Sequence, residues 1–186
     1  MVDRLLMLHT TKGQEENPGQ TSKIWSHFTR FDSTIQVESG IDVGHYTMAS
    51  IQTGSSGMGT ILHEMMHQMG AMDLYPVHES SQLNDWQGVG DWDIMASGNW
   101  NGGGVWPALP TSASLELLGA NRSQSMDLNW PQSAQDPCIG PSVEMKGMSE
   151  NGSSLKIPVA EKEFVWIEYR SNYGFDQHLP GSGILV

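Results

Sequence analysis

His63-Glu64-Met65-Met66-His67, followed by Gly70 and Asp73, is the stretch on which the reading of this chain turns. On a helix, the two histidines fall at i and i+4, one turn apart on one face. That spacing lets both rings reach one tetrahedral zinc at roughly 2.0–2.1 Å. Glu64 then lies beside the ion, where it can take a proton from a metal-activated water. Gly70 can end the helix in a left-handed turn without a Cβ penalty. Beyond that turn the chain can swing back and present Asp73 as the third ligand. The bland alternative is two ordinary histidines on a Met-rich core helix. It accounts for the HExxH alone, but not for Gly and Asp at these offsets.

Outward from this segment, Gly54-Ser55-Ser56-Gly57 reads as a loop, and the helix is expected from about Met58 to Met69. Upstream, Arg4 to Leu8 reads as a strand and Thr10 to Gln20 as a polar loop. Ile24 to Phe28 and Thr34 to Val37 read as short extended pieces, with another expected at Tyr46 to Ile51. Downstream, Ser80 to Pro110 is rich in Gly, Asn and Trp without periodicity, as in loops that line a site. Within it, Asp91-Trp92-Asp93-Ile94-Met95-Ala96-Ser97-Gly98 places a methionine after the metal motif and before a Gly-rich loop. Ser112 to Leu118 reads as a shorter helix ended by Gly119. After Pro131, Leu155 to Val159 and Phe164 to Tyr169 read as antiparallel strands, and Gly183 to Val186 as a strand cut short. The expectation is one α+β domain over residues 1–186, with a zinc helix on a mixed sheet and a β-rich C-terminal part. Both ends read as those of a fragment.

The chain has 186 residues, 38% of them hydrophobic, which is enough for one core. Twenty-one acids against nine bases give a net charge of −12 and argue against a nucleic-acid partner. Between Phe31 and Asn121 there is no Lys or Arg, while ten acids fall there: Asp32, Glu38, Asp42, Glu64, Asp73, Glu79, Asp85, Asp91, Asp93 and Glu116. Such a stretch favours cation capture and basic substrates, or serves only as an acidic, solubilising surface. Cys138 is the single cysteine, in a loop-like setting, so no intrachain disulfide can form. No apolar run approaches the ~20 residues of a membrane span, and Leu5 to Leu8 is too short for a signal-peptide core.

The methionine after an extended HExxH resembles the methionine turn that floors the metal in metzincins, with Met95 in that place. More broadly, the chain resembles the M6 peptidases, the immune inhibitor A family of secreted bacterial metalloproteases. The resemblance rests on HEMMHQMGAMDLY, on Leu5 to His9 with Ile24-Trp25-Ser26-His27, and on Val89 to Trp100. It continues in Trp166-Ile167-Glu168-Tyr169-Arg170, in Gly174-Phe175-Asp176 and in Leu179-Pro180-Gly181-Ser182-Gly183. It implies a zincin-like, metzincin-type catalytic domain and a zinc endopeptidase acting on protein or peptide substrates. It also implies secretion as a zymogen with a propeptide and further C-terminal domains, often with structural calcium, for which Asp91 and Asp93 are candidates unless they cap turns. Met65, Met66 and Pro76 depart from the small, aromatic or acidic residues usual in the family.

On this reading His63, His67 and Asp73 hold zinc, Glu64 is the general base, and Met95 forms the floor. Ser97 stands where many metzincins have the tyrosine that assists the oxyanion, so no helper is assigned there; Tyr75 could serve, though a tyrosine beside a ligand helix is more often packing. Two rival classes stay open. One is a zinc-stabilised binding or structural module without catalysis, with His78 as a fourth ligand closing the site. The other is a carbohydrate- or protein-binding β domain, suggested by the seven tryptophans.

Overall fold

Pairing between two long strands organises the N-terminal half. His27–Glu38 (β2) runs into Ile41–Ser50 (β3) through a turn in which Gly40 takes φ 81°, a left-handed value that glycine alone adopts cheaply. Leu5–His9 (β1) lies parallel to β3 on its other side, giving the order β1-β3-β2. The computed structural model describes residues 4–16, 19–20, 23–38, 40–51, 57–77, 88–120, 122–128, 133 and 141–186.

Ile24 to Phe28 and Thr34 to Val37 are not separate strands. β2 is one strand, with register shifts between Arg30 and Ile35 and between Gln36 and Glu38. Such bulges interrupt the period-2 alternation, so one strand reads as two fragments. β3 starts at Ile41 rather than Tyr46, because pairing with β2 overrides the poor strand propensity of Asp42 and Gly44.

Met58–Met69 forms the helix α1, with the boundaries expected from the sequence. Its N-cap, Gly57, offers no side-chain bond, so packing rather than capping must hold it. The packed face is the polar one. Thr60, His63, Glu64 and Gln68 are buried with Met66, while Met58, Leu62, Met65 and Met69 are exposed. A Met-rich core helix carrying incidental histidines would show the reverse. The Thr47 hydroxyl on β3 donates to the Glu64 carbonyl at 3.1 Å, and Gln68 Nε2 donates to Thr47 Oγ1 at 2.6 Å and to the Leu5 carbonyl at 2.8 Å. These bonds fix the rotation of α1 on the sheet.

Among the described residues, the stretch after α1 contains a 3₁₀ turn, Gly90–Trp92, and a second 3₁₀-rich segment, Ser97–Gly104, kinked where Gly102 and Gly103 take left-handed φ values of 57° and 71°. The second approaches α1 so closely that a Cβ on Gly59 would lie 1.8 Å from the Asn99 carbonyl oxygen. Ser112–Leu117 is a short helix, α2. A second sheet follows, of Ser123–Ser125 (β4), Ser154–Ala160 (β5), Glu163–Arg170 (β6) and Gly183–Leu185 (β7), in the order β4-β5-β6-β7. β4 runs parallel to β5 and the other pairs are antiparallel. β4 has no apolar alternation to announce it; it exists because the β5 edge accepts it. The fold is mixed α and β, with two mixed sheets and few helices. Met66, Ala71, Ile94 and Met95 form a buried cluster with Leu74 and Leu118 packed against it, joining the end of α1 to the methionine segment. Among the described residues, no helix is long and apolar enough to cross a membrane.

Candidate metal centre

Helical spacing and a left-handed stop bring three side chains to one point. Gly70 takes φ 109° at the end of α1, and its N–H donates back to the His67 carbonyl. The chain reverses there and returns Asp73 to the histidines. Asp73 Oδ1 lies 3.2 Å from His63 Nε2 and 3.2 Å from His67 Nε2, and the two Nε2 atoms are 3.2 Å apart. Among the described residues, His63, His67 and Asp73 are the one group of three or more such side chains placed to share an ion.

The ring tautomers decide what this point can hold. His63 Nδ1 donates to the Ile94 carbonyl at 2.8 Å and His67 Nδ1 to the Ala71 carbonyl at 2.9 Å. A carbonyl only accepts, so each Nδ1 carries a proton, and in the neutral ring each Nε2 is a bare lone pair. Asp73 Oδ1 is buried with no hydrogen-bond donor. Three electron-rich atoms thus face one another, an arrangement that needs a cation between them. The residues fit a divalent, N/O-binding metal such as zinc. Without one, a proton must serve. Burial disfavours the His67 imidazolium, yet the Asp73 carboxylate and the Ala71 carbonyl hold His67 above its ordinary value. Burial would raise the Asp73 carboxyl, but the two histidines outweigh it and keep it well below the usual range.

Glu64 is 8% exposed and sits beside this point without joining it. Burial pushes its carboxyl up, against lowering by His63 and His67. Glu64 faces two cavities that also share His63 and Tyr75, of about 250 and 370 Å³. Tyr75 stacks on His63 with centroids 6.4 Å apart. Its phenol is pushed up to about 12 by burial first and the Asp73 charge next, so it stays protonated and can donate into the site.

Met95 is fully buried, packed with Met66, Ala71 and Ile94. Its carbonyl accepts from the Leu74 N–H at 2.8 Å, tying the methionine segment to the chain just past Asp73. Asp93, a calcium candidate from the sequence, is a turn cap instead. Its Oδ1 accepts from the Met95 N–H at 2.6 Å, and its Oδ2 from the Thr111 N–H at 2.7 Å and the Ser114 hydroxyl at 2.9 Å. Asp91 is exposed nearby. Nor do most of the described acids of the base-free stretch gather in the cleft. Glu116 pairs with Lys156 at 2.5 Å, and Asp32, Glu38 and Asp42 lie exposed on the β2–β3 hairpin. Among the described residues, only Glu64 and Asp73 of that set line the cavities at the centre. Glu79, Asp85, His78 and Cys138 lie outside the described residues.

The sequence reading missed what supports the methionine segment from behind. Arg170 is fully buried on β6, and all five of its N–H groups are used. Nε and Nη2 bond Asp176 at 2.9 and 2.8 Å, Nη1 bonds Glu168 and the Trp92 carbonyl at 2.9 Å each, and Nη2 also reaches the Leu109 carbonyl at 3.1 Å. Glu168 in turn accepts from the Ser112 N–H and hydroxyl. The guanidinium thereby fixes Trp92, two residues before the carbonyl that orients His63. Glu168 and Arg170 two apart on one strand was the available signal, since alternation puts both on one face. Their partners come from distant segments and could not be read. Against known proteins, the model of the immune inhibitor A peptidase M6 catalytic domain matches residues 1–116, from β1 into α2. No curated protein matches the chain.

Proposed function

The chain belongs to the immune inhibitor A peptidases, family M6, and from that premise we propose that it is a zinc-dependent endopeptidase with a metzincin-type catalytic domain spanning residues 1–186. The observation that carries this reading is the convergence of His63 Nε2, His67 Nε2 and Asp73 Oδ1 at 3.2 Å separations, with no donor among them. His63, His67 and Asp73 would hold the ion as its three protein ligands, the number that catalytic zinc sites use. When bound, the ion supplies Lewis acidity, lowering the pKa of a water and polarising the scissile carbonyl.

The remaining work falls to this chain's own side chains. The Ile94 and Ala71 carbonyls hold each imidazole in the tautomer that presents Nε2. Glu64 takes the proton of the attacking water and returns it to the leaving amine. Its burial beside the metal point places the carboxylate where it can serve both halves of that transfer. Tyr75, kept as a phenol, can donate a hydrogen bond to the oxygen on which charge develops. Met95 closes the floor and keeps it dry. Secretion, a propeptide and further domains belong to the same family reading.

The test is proteolysis of casein by the purified chain, before and after a chelator, together with metal analysis. One zinc per chain, activity lost on chelation and regained with zinc, is the expected result. Casein cleavage that survives complete metal removal contradicts the proposal.

A further inference from the structure

The cavity of about 250 Å³ beside the centre has a chemical bias of its own. It is lined by the metal-point residue His63 and by the proposed base Glu64, so a residue flanking the bond being cut would place its side chain there. The walls include Trp25 and Trp100, which are 50% and 44% exposed and so present ring surface to an occupant. Glu15, on the 3₁₀ turn Gln14–Glu16, also lines the cavity. Its carboxylate is fixed by the Ser26 N–H at 3.1 Å and the Ser26 hydroxyl at 2.5 Å. The carboxyl group folds over Gly13, where a Cβ would come within 2.2 Å of Oε1.

Two donors leave about half of that carboxylate's acceptor capacity unused. Among the described residues no Lys or Arg pairs with Glu15; its neighbour Lys12 reaches Glu16 instead. A second unmatched acceptor, Asn99 Oδ1, is buried on a residue of the same wall. Aromatic faces and an anchored carboxylate favour one kind of guest, a long side chain that ends in a cation with several N–H donors. An apolar side chain would desolvate the carboxylate's remaining acceptor positions without pairing them.

Resting on the peptidase reading, we propose that this cavity is a specificity pocket for arginine or lysine beside the scissile bond, with Glu15 as the residue that selects the charge. The acidity of the base-free stretch does not produce this preference, since its acids mostly lie elsewhere; Glu15 precedes that stretch.

The experiment compares peptides that differ only by arginine or citrulline at the positions flanking the cut, with the zinc-loaded chain and with Glu15→Gln. Citrulline keeps the shape and loses the charge. The native chain should favour arginine in kcat/KM by roughly tenfold, the size of one or two half-buried cation contacts. In Glu15→Gln that ratio should fall toward one, whatever happens to the absolute rates. Equal kcat/KM for the two peptides, or a preference that persists in Glu15→Gln, overturns the proposal. Equilibrium binding of the same peptides, read by tryptophan fluorescence, separates this pocket from the chemistry. If nothing is cleaved, the peptidase reading fails. The pocket then stands on tighter arginine binding that depends on Glu15, and falls without it.

Discussion

Glu64→Gln is expected to keep zinc and the fold while turnover on a protein substrate drops by about 10²–10⁴-fold or more, the range for a positioned general base. Glu64 is outside the trio that meets at the metal point, so its amide analogue removes no ligand. Its backbone bond to Thr47 is indifferent to the side chain, so the seat of α1 on β3 is retained. What the amide loses is the ability to accept a proton from water and to deliver it to the departing nitrogen. Turnover measured beside zinc content separates these effects. Unchanged turnover in a zinc-loaded Glu64→Gln protein would remove Glu64 from the mechanism.

Asp73→Ala should have its largest effect on the metal itself. It leaves two imidazoles and no anionic oxygen, so zinc affinity should fall by well over the roughly 10–100-fold that loss of an outer-shell partner costs. The histidines should stay in place, since Ile94 and Ala71 hold them independently of Asp73. Chelator competition gives the affinity, and circular dichroism shows whether the fold survives. Native zinc affinity in Asp73→Ala would mean that another side chain supplies the third ligand.

How much of this was legible in the sequence follows from how local each cause is. The helix Met58–Met69, its Gly70 stop and the return of Asp73 are signalled within one short stretch and stand where the spacing put them, although packing on β3 holds the helix in place. The β2–β3 hairpin was only half visible, because its bulges break the alternation that marks a strand. The inverted burial of α1 could not be read at all. The methionines look like core, and only the site on the other side explains why His63 and Glu64 face inward. Asp93 was ambiguous between ion ligand and turn cap until Thr111 and Ser114 arrived from another segment. Arg170 and Asp176 are six residues apart in sequence, yet what they secure, the carbonyls of Trp92 and Leu109, is not near either in the chain.

The most direct measurement of the central claim is X-ray absorption at the zinc edge, on the native chain loaded with one equivalent of zinc and on Asp73→Ala. The expected native result is two imidazole nitrogens near ~2.0–2.1 Å, one carboxylate oxygen near ~2.0–2.2 Å and one exchangeable light ligand, with the carboxylate shell lost in Asp73→Ala. A closed set of four protein ligands, or a coordination shell that Asp73→Ala leaves unchanged, would contradict it.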